Sequence, residues 1–361
     1  MKISKKINYG ISAILAVLST VFLPEIAAIN ADYAYSNSIL SLFMVVVLTV
    51  IYNKMLLCAD RRAKNIAFLA GGIFSVLLCV GKQIVNNGST NLNQWKTLAA
   101  ILAEAPLFAT LVLFVFLRVV PSVGRNTSAM DEPSNEKRFF FIWALIFAAW
   151  VPVLLATWPG IYGYDSIYQI SWYDSGKISL HHPLIHTLYL GFCIRTLGGL
   201  LGSVERGMAV YSITQMLIMS AFFSATTCYF IRNRLPKIVT AGMLVWFALL
   251  PTTALMSISA TKDTLYALTF AWMVLNLCKL AKEPCIIKDW KFDVQFATSC
   301  LVQMIFRNQG KYIFAVLVPV LLVVLWRERK RMLCIFCGVA VIYATYSGPA
   351  TRILGGSERW N

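Results

Sequence analysis

Residues 157–183 read TWPGIYGYDSIYQISWYDSGKISLHHP, a polar, aromatic break between two long apolar runs. The stretch holds six Trp or Tyr residues, the carboxylates Asp165 and Asp174, and His181-His182-Pro183 at its end; the only other histidine, His186, lies just beyond. Trp and Tyr rest at headgroup depth on a bilayer. Such a loop lies on a membrane edge and still presents carboxylates and imidazoles to what stands above it.

Outward from this loop the alternation continues in both directions. Apolar stretches long enough to cross a bilayer fall at roughly 9–29, 36–58, 65–85, 97–120, 138–157, 183–201, 207–231, 238–256, 264–281, 292–306, 311–326 and 332–347. Charged residues make up 13% of the 361 and hydrophobic ones 58%, against about 25% charged in an ordinary globular domain, and mean hydropathy is +0.69. The expected fold is an all-α polytopic membrane protein with about 11–12 hydrophobic segments. It divides into a four-span region over 1–138, a membrane module over 139–347 and a short outer-face tail over 348–361.

The net charge of +16 is not a nucleic-acid signal, because the Lys and Arg residues sit in short clusters between apolar runs, as cytoplasmic loops facing anionic lipid do. Membrane lipid is the expected partner and nucleic acid is not. Of nine cysteines, all but Cys285 fall within or beside apolar segments, where they pack as small apolar groups rather than forming disulfides. The start, MKISKK followed by an apolar run and AAINA, also describes a signal peptide; a first helix kept in the membrane is the plainer reading.

Orientation follows from the basic clusters. Lys2, Lys5 and Lys6, then Arg61, Arg62 and Lys64, then Arg118, Arg125, Lys137 and Arg138 are cytoplasmic, so the loops near Asp32 and over 86–95 face outward, as does 158–182. Strict alternation then fails. Arg232, Arg234 and Lys237 ask to be inside, yet two full crossings after the outer loop would leave them outside. The repair is that 183–201, short and carrying Arg195, Gly198 and Gly199 with Gly202 just after it, enters the membrane without fully crossing, or lies along it. Residues 257–263, Arg307 to Lys311 and the tail then share a face with Asp165.

Ionisable groups at the ends of membrane helices are functional candidates by default. Asp165 stands first, after the Pro159-Gly160 turn; the bland alternative is a hydrated interfacial carboxylate. Asp174, in WYDSG, reads as a turn residue beside Gly176. His181 and His182 precede Pro183, which suits the first turn of a helix. With Asp165 they could hold a divalent ion, although no HxxxH spacing is present, or an imidazole could donate to a phosphate or orient the loop. His186 reads as a packing residue one turn below. Lys262-Asp263 is either a helix start, with Asp263 at the positive end of the dipole and Lys262 snorkelling, or a phosphate anchor. Arg307 and Lys311, flanking Asn308-Gln309-Gly310, place two cations on an outer turn, where phosphate binding gives them a purpose.

The order PG…D…HHP…KD…RNQGKY, over about 139–346, resembles the GT-C glycosyltransferase superfamily, multi-span enzymes that take a sugar from a polyprenyl-phosphate carrier at the outer membrane face. Protein O-mannosyltransferases and the aminoarabinose transferases that modify lipid A are members. The similarity lies in an acidic residue in the first outer loop of the catalytic module, here Asp165 in YGYDS, a His-Pro opening of the next helix, HHPLIHT, and a later helix-start Asp, TKDTLYALTF. Leu184 stands where members often have a second proline, and a soluble outer domain found in many is missing. The resemblance implies inverting transfer to a cell-envelope glycan, lipid or protein. Asp165 would be the base; Lys262, Arg307 or Lys311 and His181 or His182 would hold phosphate, and Asp263 would position a cation. A divalent ion on Asp165 and His182 is the variant cofactor reading. Rival readings are a polytopic transporter or lipid flippase, which calls for charges near mid-membrane or matching halves, and a scaffold or truncated, inactive family member. All the charged candidates above lie at helix ends.

Overall fold

A computed structural model describes residues 5–26, 39–58, 60–90, 94–114 and 136–357. The loop at Asp32, the basic residues Arg118 and Arg125 and the last four residues lie outside the described residues. The chain separates into two compact units, Met1–Ser128 and Ala129–Asn361. Nine of the described helices are long and apolar enough to cross a membrane, and one more span is broken in two. The protein is an all-α multi-pass membrane protein.

The first unit holds α1 (Lys5–Ile26), α2 (Ile39–Leu56), α3 (Arg61–Asn87) and α4 (Trp95–Phe114). Helix α3 starts at Asp60, whose carboxylate accepts from the Ala63 amide, and stops at Gly88 in the left-handed region (φ 68°), as capping chemistry requires. Small residues let α3 and α4 approach closely: a Cβ on Gly71 would sit 2.5 Å from the Ala109 nitrogen, the close packing that membrane helices use in place of a hydrophobic drive. Buried hydroxyls are bonded, Ser19 to the Ala103 carbonyl at 2.5 Å and to the Tyr52 hydroxyl at 2.8 Å, and Ser75 to the Ile101 carbonyl at 2.8 Å. Glu104, midway along α4, is fully buried. This corrects the expectation that notable charge is confined to helix ends: one acid inside a long apolar run leaves the run's average almost unchanged.

In the second unit α5 (Glu136–Ala156) leads through β1 (Ile161–Tyr162), α6 (Ser166–Ser175) and β2 (Ile178–Ser179) to α7 (Leu184–Gly191), which runs on through a π turn, Phe192–Leu197, to Leu201. Then follow α8 (Val204–Arg232), α9 (Lys237–Leu249), α10 (Pro251–Ser257), β3 (Ser259–Ala260), α11 (Lys262–Lys282), α12 (Trp290–Phe306), α13 (Gly310–Val324), α14 (Arg329–Thr345) and β4 (Gly356–Ser357). The segment expected over 238–256 is a helix pair bent by 55°, because Pro251 cannot donate to the turn before it. Helices occupy the other expected segments as well, but α13 is a shorter apolar helix and α12 is not among those long and apolar enough to cross. The last run is longer than expected, Trp326–Ile353, and the tail is no separate part: Gly356 and Ser357 pair with Ile178 and Ser179.

Helix α8 has 29 residues, about 43 Å at 1.5 Å per residue, more than the roughly 30 Å hydrocarbon core. Its second half lies along α5: the Trp143 indole donates to the Leu217 carbonyl at 3.1 Å and the Ser220 hydroxyl to which it also bonds is at 2.9 Å, and Ser224 bonds the Phe139 carbonyl at 2.7 Å. Its first half is paired antiparallel with Leu184–Leu201. His186 meets Tyr211 at 2.9 Å, Tyr189 bonds Thr214, and the Ser203 amide donates to the Gly198 carbonyl at 2.9 Å. Gly207 makes the contact possible, since a Cβ there would fall 2.7 Å from the carbonyl oxygens of Cys193 and Ile194. Leu184–Leu201 therefore folds back along the first half of α8, the arrangement that the charge alternation asks for. Arg138, Arg232, Lys237, Lys282, Lys288 and Arg331 all stand at the end opposite Asp165.

The core of this unit is apolar and aromatic. Trp150 is fully buried and donates to the Phe247 carbonyl at 3.0 Å, while Phe296, Phe314 and Phe336 interlock α12, α13 and α14 edge to face. All nine cysteines are free thiols.

Candidate active site

The Asp165 loop is stapled to the segment that opens α11. Ile161 and Tyr162 pair in parallel with Ser259 and Ala260, the Ile161 amide donates to the Ile258 carbonyl at 3.1 Å, and the Ser166 hydroxyl donates to the Ala260 carbonyl at 2.7 Å. Gly160, at φ 136°, leaves no room for a side chain: its Cβ would meet the Ser212 hydroxyl at 2.1 Å. This two-residue ladder brings together residues 97 positions apart. The Lys262 ammonium donates to Asp165 Oδ2 at 2.5 Å and to His182 Nδ1 at 2.7 Å; His182 Nδ1 and Asp165 Oδ2 are 3.5 Å apart. Asp165 makes no side-chain cap on α6, so its carboxylate is committed to the lysine.

His182 is buried, and its ring lies 5.3 Å from Trp172 and 4.9 Å from His181. Burial, and then the Lys262 ammonium, hold its pKa below the ordinary value, with Asp165 opposing. The neutral ring accepts at Nδ1, so its proton is on Nε2.

A second pair stands beside the first. Arg307 Nη1 donates to Asp263 Oδ1 at 2.9 Å, and the guanidinium lies 5.2 Å from the centre of the Tyr266 ring, a cation–π distance. The turn that carries it is tied to the histidine loop by Asn308, whose amide donates to the Leu180 carbonyl at 3.1 Å. Lys311 does not join: it is exposed, with its ammonium over its neighbour Tyr312 at 5.2 Å. His181 is exposed and packs on His182. Asp174 departs from the turn reading: it binds Arg195 through both oxygens, at 2.6 Å to Nη2, while Gly176, in the left-handed region, ends α6.

Beneath these pairs runs a buried polar chain. Gln215 Nε2 donates to the carbonyls of Met256, Ser257 and Ser259 at 3.0, 3.1 and 2.8 Å, Tyr211 donates to Gln215 Oε1 at 2.9 Å, and His186 Nε2 donates to Tyr211 at 2.9 Å. His186 Nδ1 is then an acceptor, and Gln169, 3.0 Å away, meets it with its amide nitrogen once its interchangeable O and N are placed to suit. His186 thus ties α6 to α8, a role its spacing in the sequence did not reveal. Beside the site a cavity of about 360 Å³ opens on the flank of the bundle, walled by Tyr189, Phe222, Leu265, Trp272 and Phe306. Leu265 lies one turn below Lys262, and Phe306 precedes Arg307. The cavity's residues come from four helices, so no run of sequence announces it.

A divalent ion on Asp165 and His182 does not suit this arrangement, because the Lys262 ammonium occupies the place between them. Among the described residues no three His, Cys, Asp or Glu side chains converge.

Residues 173–348 match the model of a family of unknown function, DUF6020. The matched stretch takes in His182, Lys262, Asp263 and Arg307 and begins just after Asp165. No curated protein and no solved structure matches the chain.

Proposed function

We propose that this protein is a membrane glycosyltransferase that moves a sugar from a polyprenyl-phosphate donor to a cell-envelope acceptor at the outer membrane face. The observation that carries the reading is the Asp165–Lys262–His182 constellation, set beside an apolar flank cavity. The basic clusters at the opposite end support a cytoplasmic assignment of that end by charge, and with it an outer position for Asp165.

The chemistry follows from the groups. A donor phosphate brings charge that competes with Asp165 for Lys262; when the ammonium turns to the phosphate, the carboxylate is released to act as base. Arg307, half-exposed on its Asp263 pair, is the second cation within reach of such a phosphate. The acceptor hydroxyl oxygen attacks the anomeric carbon as the bond from that carbon to the phosphate oxygen breaks. The electron pair leaves on the phosphate, and the hydroxyl proton passes to Asp165. Lys262 and Arg307 stabilise the departing charge. His182, neutral and fixed by Trp172, keeps the ammonium in place. The cavity is sized for a stretch of isoprenoid chain, with its phosphate end toward Lys262.

The test is transfer from radiolabelled polyprenyl-phosphate sugars in membranes holding native chain or Asp165→Asn at equal amounts. Label reaching an acceptor only with the native chain supports the reading, with a loss of about 10²–10⁴-fold in the variant. No transfer from any donor by folded protein, or full transfer by the variant, overturns it.

A further inference from the structure

Glu104 lies near the midpoint of the 20-residue helix α4, is 0% exposed, and neither of its carboxylate oxygens has a hydrogen-bond partner among the described residues. The neighbouring Ala103 carbonyl accepts from Ser19, and Ser19 is bonded to the buried Tyr52 hydroxyl. The titratable groups that face it are Tyr52 on α2 and Cys79 on α3. Glu25 and Lys82 act electrostatically on Cys79, and Lys82 donates to the Pro24 carbonyl. Glu104 forms no ion pair among the described residues.

An ionised carboxylate with neither donor nor counter-ion inside an apolar bundle carries a very large solvation cost, whereas burying the neutral acid costs far less. An ionisable group placed within a membrane span rather than at its end is a functional candidate by default, and proton relays are among the roles such groups fill. We propose that Glu104 is a proton-binding site of the N-terminal unit, a carboxylic acid that holds its proton within the bundle and exchanges it with the aqueous phase. The ligand is the hydrated proton, and the Ser19–Tyr52 hydroxyl pair adjoins the site. This stands apart from the glycosyltransferase reading, which uses only the second unit.

The test uses the full chain in native membranes. Dicyclohexylcarbodiimide enters apolar regions and reacts with neutral carboxylic acids; the acid proton moves to a carbodiimide nitrogen as the carboxyl oxygen bonds to its carbon, and rearrangement leaves a stable acylurea that mass spectrometry locates. The expected result is an adduct on Glu104 that a water-soluble carbodiimide does not give, with labelling that falls as pH is raised. In Glu104→Gln, a neutral isostere, the adduct is lost and the melting temperature is unchanged. No adduct on Glu104 in folded protein would overturn the proposal. Labelling that is independent of pH, which marks a sealed acid, and equal labelling by the water-soluble reagent, which marks an exposed one, would do the same.

Discussion

At the scale of the residue, the site works through shared partners. Lys262 serves Asp165 and His182 at once, and with side chains only 17% and 21% exposed Lys262 and Asp165 are only partly screened by water. Replacing Lys262 by Met leaves the carboxylate without its donor, and the loss of a charge-assisted hydrogen bond costs about 1.5–3 kcal/mol; a lower melting temperature in detergent, together with lost transfer, is the expected readout. His182 makes the site sensitive to acid. Its folded pKa is depressed, so below about 6.5, the ordinary histidine value, the unfolded chain takes up a proton that the folded site refuses. That contribution to stability is complete above the unfolded pKa and is lost as pH falls toward the folded one. Acidification from neutral pH should therefore lower the melting temperature of the native chain more than that of His182→Gln, which cannot titrate. Equal acid sensitivity in the two would count against the neutral imidazole.

At the scale of the element, the hairpin of Leu184–Leu201 against α8 depends on glycine where backbones touch. Gly207→Ala forces a methyl within 2.7 Å of two carbonyl oxygens and should cost about 1–3 kcal/mol by overpacking. Gly199→Ala, in the same hairpin, meets nothing within 4 Å and should be neutral, or stabilising by roughly 0.5–1 kcal/mol as a helical Gly-to-Ala change. Thermal unfolding of the two variants side by side checks the packing; similar losses would mean the helices are not paired in this register. The hairpin shows how far the elements were legible. Run length and composition alone located the apolar segments, but Leu184–Leu201 has the length and apolarity of a span. Only the structure shows that it folds back along the first half of α8, although Arg195 and the neighbouring glycines had already marked it as irregular.

At the scale of the whole second unit, the helices gather Asp165, His182, Lys262 and Arg307 at one end and the basic clusters at the other. The orientation proposed for the two ends predicts opposite accessibility. In intact cells a membrane-impermeant maleimide should label a cysteine placed at exposed Asn308, while exposed Cys285 should react only after the membrane is opened. Labelling of both from one side would overturn the assignment of faces. The buried chain from Gln169 to Gln215 belongs to this scale as well, since it joins α6, α7 and α8 to the backbone just before Lys262.

By itself the sequence determined that the chain is helical and embedded in a membrane, and which polar groups interrupt its apolar runs, because both follow from local hydrophobicity and charge. It also singled out Asp165, His182, Lys262, Asp263 and Arg307, since charge beside an apolar run is conspicuous. Their partners were decided only by the tertiary structure. Asp165 meets Lys262, and Asp263 meets Arg307, across 97 and 44 residues, separations over which no periodicity carries information. The same holds for Lys311, set aside by the direction in which one helix start points, and for Glu104, whose isolation exists only once four helices have closed around it.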